Sequence, residues 1–139
     1  MAKSAKRAIG DVGEDIACTY LVGKGWRIIE RNYWRPWGEI DIVAEDREKR
    51  LRFVEVKSIS RALGGVGKEG GAGDGSCETY RPEENMHPQK LRRLSRVIQT
   101  YLLEKHIREQ QAWQLDLACV YLDFETRRAR VQVLENIII

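Results

Sequence analysis

Residues 39–43, Glu-Ile-Asp-Ile-Val, and residues 53–57, Phe-Val-Glu-Val-Lys, read as two neighbouring strands of one sheet. Successive side chains of a strand point to opposite faces. Glu39, Asp41 and Val43 therefore share one face, and Ile40, Ile42 and Ala44 the other. Phe53, Glu55 and Lys57 likewise oppose Val54 and Val56. The polar pentapeptide Asp46-Arg47-Glu48-Lys49-Arg50 between them has the length and chemistry of a hairpin loop. Matching the apolar faces sets the register. A hairpin centred on Glu48 pairs Glu45 with Leu51, Val43 with Phe53, Asp41 with Glu55 and Glu39 with Lys57. A slip by one residue would set a charged face against an apolar one.

Upstream of this hairpin, Ile9, Val12, Gly13, Ile16, Ala17, Tyr20 and Leu21 recur at helical spacing, and Gly23 and Gly25 stop the pattern. Trp26 to Glu30 predicts a short strand, and Arg31 to Gly38 an aromatic and basic turn. Downstream, residues 59–86 predict a flexible loop, because seven of the chain's 12 glycines fall between Gly64 and Gly75. Pro88 suits the first turn of a second helix, whose apolar stripe is Leu91, Leu94, Ile98, Tyr101 and Leu102. Trp113 to Leu122 and Ala129 to Leu134 predict two more strands. The order helix, three strands, helix, two strands argues for one α/β domain over residues 1–139, a mixed sheet with helices packed on it.

Composition narrows the class. With 139 residues, 42% hydrophobic and 32% charged, the chain is long enough and apolar enough to bury a core. No apolar run approaches the ~20 residues that span a membrane, and no apolar segment of a secretory signal opens the chain. Cys18, Cys77 and Cys119 are odd in number and contain no CxxC pair, which excludes a disulfide framework and a cysteine zinc site. A cytoplasmic protein is expected. The net charge of +3 hides an uneven layout: residues 1–7 carry Lys3, Lys6 and Arg7, and residues 90–108 carry six cations against Glu104 alone. The remainder is net negative. Basic segments beside an acidic remainder fit a polyanion-binding face next to a concentration of carboxylates.

In the expected register Asp41 faces Glu55 with Cβ atoms ~5 Å apart, an arrangement that destabilises an ordinary sheet. Either one carboxyl is protonated or a cation bridges the two. Two hard carboxylates with waters suit Mg²⁺. Lys57 adds a positive charge two residues from Glu55. Carboxylates, a divalent ion and a lysine fit hydrolysis of a phosphodiester. The competing interpretation is a solvated strand face laced with ion pairs, Glu39 to Lys57 among them.

At these residues the sequence resembles the PD-(D/E)xK nuclease superfamily, whose pattern is an acid on one strand and Glu-x-Lys on the next, here Asp41 and Glu55-Val56-Lys57. Within it, the chain is similar to the YraN family of uncharacterised bacterial proteins. Gly13-Glu14 with Ala17 and Tyr20-Leu21, Gly38-Glu39-Ile40-Asp41, Phe53 to Lys57, the helix from Lys90 to Leu102 and Leu115-Asp116 carry that likeness. The resemblance implies a restriction-endonuclease-like α/β/α core, a central mixed sheet flanked by helices, similar to Holliday-junction resolvases. It implies that Asp41, Glu55 and the backbone carbonyl of Val56 hold Mg²⁺ or Mn²⁺, that Lys57 is the catalytic lysine and that Glu14 joins the site. It also implies a homodimer, as related resolvases are. The expected function is a metal-dependent endonuclease acting on DNA, branched or single-stranded. The alternative is a non-catalytic nucleic-acid-binding protein on the same fold.

Lys90, Arg92, Arg93 and Arg96 lie close together on the second helix with too few acids to pair them, and so are expected to hold phosphates. Arg35, among Tyr33, Trp34 and Trp37, is a further candidate contact; such aromatics stack on unpaired bases or serve as packing. Ser58, Ser60 and Arg61 follow the lysine and are placed to touch a nucleic-acid backbone. Asp116 reads as a structural hydrogen-bond acceptor, and His87 as a helix-start residue before Pro88. The terminal Ile137-Ile138-Ile139 suits a sheet edge or a dimer contact.

Overall fold

A hairpin with the expected loop lies at the middle of the sheet. The computed structural model describes residues 5–60 and 86–138, with side chains from Ala8 onward. The basic side chains of residues 1–7, most of the expected glycine-rich loop, Arg61 and Cys77 lie outside the described residues. The elements are α1 (Ala5–Gly23), β1 (Arg27–Arg35), β2 (Gly38–Glu45), β3 (Leu51–Ser60), α2 (Pro88–Glu104), β4 (Trp113–Asp123) and β5 (Arg128–Ile137). The strands are ordered β1-β2-β3-β4-β5. β3 and β4 run parallel and every other neighbouring pair is antiparallel. A parallel pair needs a crossover, and α2 lies within it.

The loop closes on Asp46, whose Oδ1 accepts hydrogen bonds from the backbone N–H groups of Glu48 (2.8 Å) and Arg50 (2.9 Å). This fixes the register that the apolar faces demanded, Glu45 to Leu51 and Val43 to Phe53. Each helix covers one face of the sheet. Ala17 and Leu21 of α1 pack with Ile42, Ala44, Val54, Ala118 and Val120. Leu94, Val97, Ile98 and Tyr101 of α2 pack with Tyr33, Val43, Phe53, Leu115 and Leu117. The result is the three-layer α/β/α arrangement of a restriction-endonuclease-like core, with a five-stranded mixed sheet between two helices.

Three expectations need correction. The aromatic turn at Arg31–Gly38 is strand as far as Arg35, and Tyr33 is core. Pairing with β2 from Arg27–Glu45 to Arg35–Gly38 stabilises it over the turn signal of Pro36 and Gly38. Ile59 and Ser60, expected in the loop, extend β3, because they pair with Tyr121 and Leu122 of β4. The simple alternation of β2 fails at Asp41. Ile40 packs with Val43 under α2, while Ile42 packs under α1.

Away from this irregularity, β3 carries a buried ionic cluster. Arg52 donates to Asp46 Oδ2 (2.9 Å) and Asp116 Oδ2 (2.8 Å), and its guanidinium lies 4.4 Å from the centre of the Trp26 ring. Asp116 also accepts from Gln114 Nε2 and the Asn136 backbone N–H, both at 2.9 Å, which makes it the structural acceptor expected. Ile137 completes the β5 edge opposite Leu115.

Candidate active site

The irregularity at Asp41 creates the site. The register pairs Arg31 with Ile42 and Tyr33 with Ile40, so Asn32 and Asp41 face each other across β1 and β2. Asn32 has φ 53, the left-handed region that Asn tolerates better than most residues. Its side-chain amide donates to Glu14 Oε1 (3.0 Å) and Oε2 (3.2 Å) on α1 and to Glu39 Oε2 (3.3 Å) on β2. Arg31 adds a contact to Glu14 Oε1 at 3.4 Å and to Asp15 Oδ1 at 2.9 Å. Sequence reasoning missed Asn32; the signal was an asparagine inside what proved to be a strand.

The ladder pairing of β2 with β3 ends at Ile42–Val54. The expected Asp41–Glu55 and Glu39–Lys57 pairs are not part of it. Instead, Asp41 Oδ2 accepts the Val56 backbone N–H at 2.8 Å. A carboxylate has taken the place of a ladder carbonyl, and the two strands fork around it. The carbonyl of a strand residue lies on the same side as its N–H. The Val56 carbonyl is therefore directed to the fork as well.

Two hollows adjoin there. One, of about 400 Å³, is lined by Ile9, Gly10 and Glu14 of α1 with Asp41, Glu55, Val56, Lys57, Ser58 and Ser60. The other, of about 190 Å³ on the α2 side, is lined by Gly38, Glu39, Asp41, Glu55, Lys90, Arg93 and Leu94. Asp41 and Glu55 belong to both. Burial first, then the Glu55 charge and the smaller effects of Glu14 and Glu39, push the Asp41 carboxyl up to about 8, against the opposing pull of the Val56 N–H. Burial is the larger part of this cost and the Glu55 charge adds to it; a cation at the fork would relieve the charge part.

Among the described residues no three His, Cys, Asp or Glu side chains gather as a ready metal cage. The donors present, two carboxylates and a backbone carbonyl with room for water, fit Mg²⁺ or Mn²⁺ and do not fit a thiolate or imidazole metal.

The expected phosphate contacts divide. Lys90 is not free on the helix surface: its Nζ lies 2.9 Å from Glu55 Oε2. Arg35 is held by Glu104 through its Nε (3.1 Å) and Nη2, donates from Nη1 to the Trp34 carbonyl, and stacks 4.4 Å from the Tyr33 ring centre. The Ser58 hydroxyl is buried without a hydrogen-bond partner, turned against Gly13 rather than outward. Arg92, Arg93 and Arg96 are exposed, and Arg93 borders the fork.

These features define an α/β protein of restriction-endonuclease-like layering, with a carboxylate pair and a lysine at a strand fork. The chain belongs to uncharacterised protein family UPF0102, the YraN family, whose profile matches residues 13–120. A UPF0102 protein of Campylobacter lari is 35% identical over 128 residues, covering 92% of this chain and 91% of the relative. One from Chlorobium limicola is 34% identical over 132 residues, covering 94% and 89%. One from Corynebacterium efficiens is 33% identical over 121 residues, covering 87% and 84%. None of the described helices is long and apolar enough to cross a membrane.

Proposed function

We propose that this chain is a divalent-metal-dependent endonuclease that hydrolyses DNA phosphodiester bonds in the cytoplasm. The observation that carries the reading is the convergence of Asp41, Glu55, Val56 and Lys57 on one cavity where β2 and β3 fork. Asp41 and Glu55, with the Val56 carbonyl, would hold Mg²⁺ or Mn²⁺. When bound, that ion supplies neutralisation of the charge developing on the scissile phosphate. Lys57 orients the attacking water by hydrogen bonding from its ammonium group. Asn32 holds the Glu14 carboxylate at the rim, where it can accept a proton from a water entering the cavity. Arg93 and Arg96 draw the strand in by its phosphates.

The Lys90–Glu55 ion pair favours a second reading, a nucleic-acid-binding protein on the same fold in which a lysine stands where a cation would. Nicking of plasmid, single-stranded and four-way-junction DNA with Mn²⁺ separates the two. Asp41→Ala and Lys57→Ala should each lower cleavage at least about 100-fold, the usual scale for losing an electrostatic or proton-transfer group. Activity surviving both substitutions would sink the enzyme reading. Binding without cleavage on any substrate would favour the second.

A further inference from the structure

We propose that the groove between the β1–β2 turn and α2 binds an unpaired nucleobase. The inference rests on the reading of the fork as a nucleic-acid site and specifies the form of nucleic acid that it accepts. The groove, of about 370 Å³, is lined by Trp34, Pro36, Trp37, Gly38, Arg93 and Arg96, among others. It shares Gly38, Glu39 and Arg93 with the hollow that contains Asp41 and Glu55. A strand with a phosphate at the fork would therefore pass Arg93 and bring a neighbouring base to the tryptophans.

The two rings are prepared differently. Trp37 is fixed: its Nε1–H donates to Thr100 Oγ1 at 3.1 Å, and the Arg96 guanidinium lies 4.9 Å from its ring centre. Gly38 lets the turn come this close, since a Cβ there would meet the Arg93 carbonyl oxygen and Val97 Cβ at 3.3 Å. Trp34, which also lines the groove, is left 61% exposed. An exposed aromatic next to arginines is the stacking platform of proteins that bind single strands. Paired bases keep their faces inside the duplex and cannot reach it. The occupant is thus a base from a single strand, a flap or an open junction.

The test is binding without cleavage. In EDTA, fluorescence anisotropy compares a short oligothymidine, a chain of the same length with abasic sites, and a closed hairpin duplex. Wild type should bind the oligothymidine more tightly than the abasic chain. Trp34→Ala should weaken oligothymidine binding by about 5- to 150-fold, the range for one stacked base, and leave the other two unchanged. Trp34→Phe should restore most of the loss. Equal wild-type affinity for the thymidine and abasic chains would overturn the proposal. So would a Trp34→Ala loss common to all three ligands, or no binding to any. Cleavage is scored separately with Mn²⁺. Base selectivity without cleavage removes only the endonuclease reading, and cleavage without base selectivity removes only this one.

Discussion

Lys90 Nζ and Glu55 Oε2 lie 2.9 Å apart, joining the first turn of α2 to the acidic fork of the sheet. A cation in a helix's first turn opposes the helix dipole, and that turn contains no acid to offset it. Glu55 supplies the compensation from β3. The same pairing sets an ammonium group against one of the two carboxylates that a divalent ion would need. Lys90→Ala should therefore tighten Mn²⁺ binding on the order of tenfold, the scale of a charge repulsion over a few ångströms in a watery medium. Isothermal calorimetry measures it. Weaker binding in the variant would instead make Lys90 a support for the ion's ligands.

Asp41 predicts how stability depends on pH in the absence of metal. Its carboxyl is raised to about 8 in the folded chain, against ~3.9 for a free aspartate. Between those values the folded state retains a proton that the unfolded state releases. The Asp41 contribution therefore falls as pH rises from about 4 to about 8, and is level beyond both ends. Asp41→Asn removes this component while keeping an acceptor for the Val56 N–H. Urea unfolding in EDTA should show Asp41→Asn gaining on wild type as pH rises from 5 to about 8. A constant difference over that range would contradict the assignment.

The buried ionic cluster predicts a structural defect. The side chains of Arg52, Asp46 and Asp116 are 7%, 2% and 0% exposed. Arg52→Met leaves two carboxylates buried without their cation and should cost about 3–5 kcal/mol. Arg52→Lys should recover little, since one ammonium cannot reproduce the two directed bonds to Asp46 and Asp116. Chemical denaturation reads both. A loss below about 1 kcal/mol would mean that the cluster behaves like exposed ion pairs.

Gly13 and Ser58 predict a compensating pair. A Cβ at Gly13 would sit 1.7 Å from Ser58 Oγ and 2.9 Å from its Cβ. Gly13→Ala must push α1 away from β3, at a cost of about 1–3 kcal/mol, and Glu14 moves with it. Ser58→Gly removes both clashing atoms, so the double variant should regain much of the loss. Ser58→Ala alone should be neutral or stabilising, because its hydroxyl is buried without a partner. Thermal unfolding of the four proteins closes the cycle; strict additivity would show that the two residues do not meet.

Much of this was legible from residue order. The Asp46–Arg50 loop, the first four rungs of the hairpin, both amphipathic helices and the nearness of Asp41, Glu55 and Lys57 follow from the period of apolar residues and from turn chemistry. The basic helix was legible as a charge imbalance, but the fate of each charge was not. Lys90 turned to an acid 35 positions upstream, and Arg35 to Glu104 on α2.

Sequence alone determined which strands neighbour each other at the hairpin and that two carboxylates must approach there, because side-chain alternation and loop length are local properties. The tertiary structure decided what those carboxylates do. It placed the left-handed Asn32 opposite Asp41, turned Asp41 from a face of the sheet to the Val56 N–H, and brought Glu14, Lys90 and Trp34 to the rims of three adjoining hollows. Such contacts join α1, β1 and α2 to β2 and β3, and they arise only when both faces of the sheet are covered. A periodic pattern records which side of an element is buried; it does not record which distant side chain satisfies an exposed charge or an open backbone group.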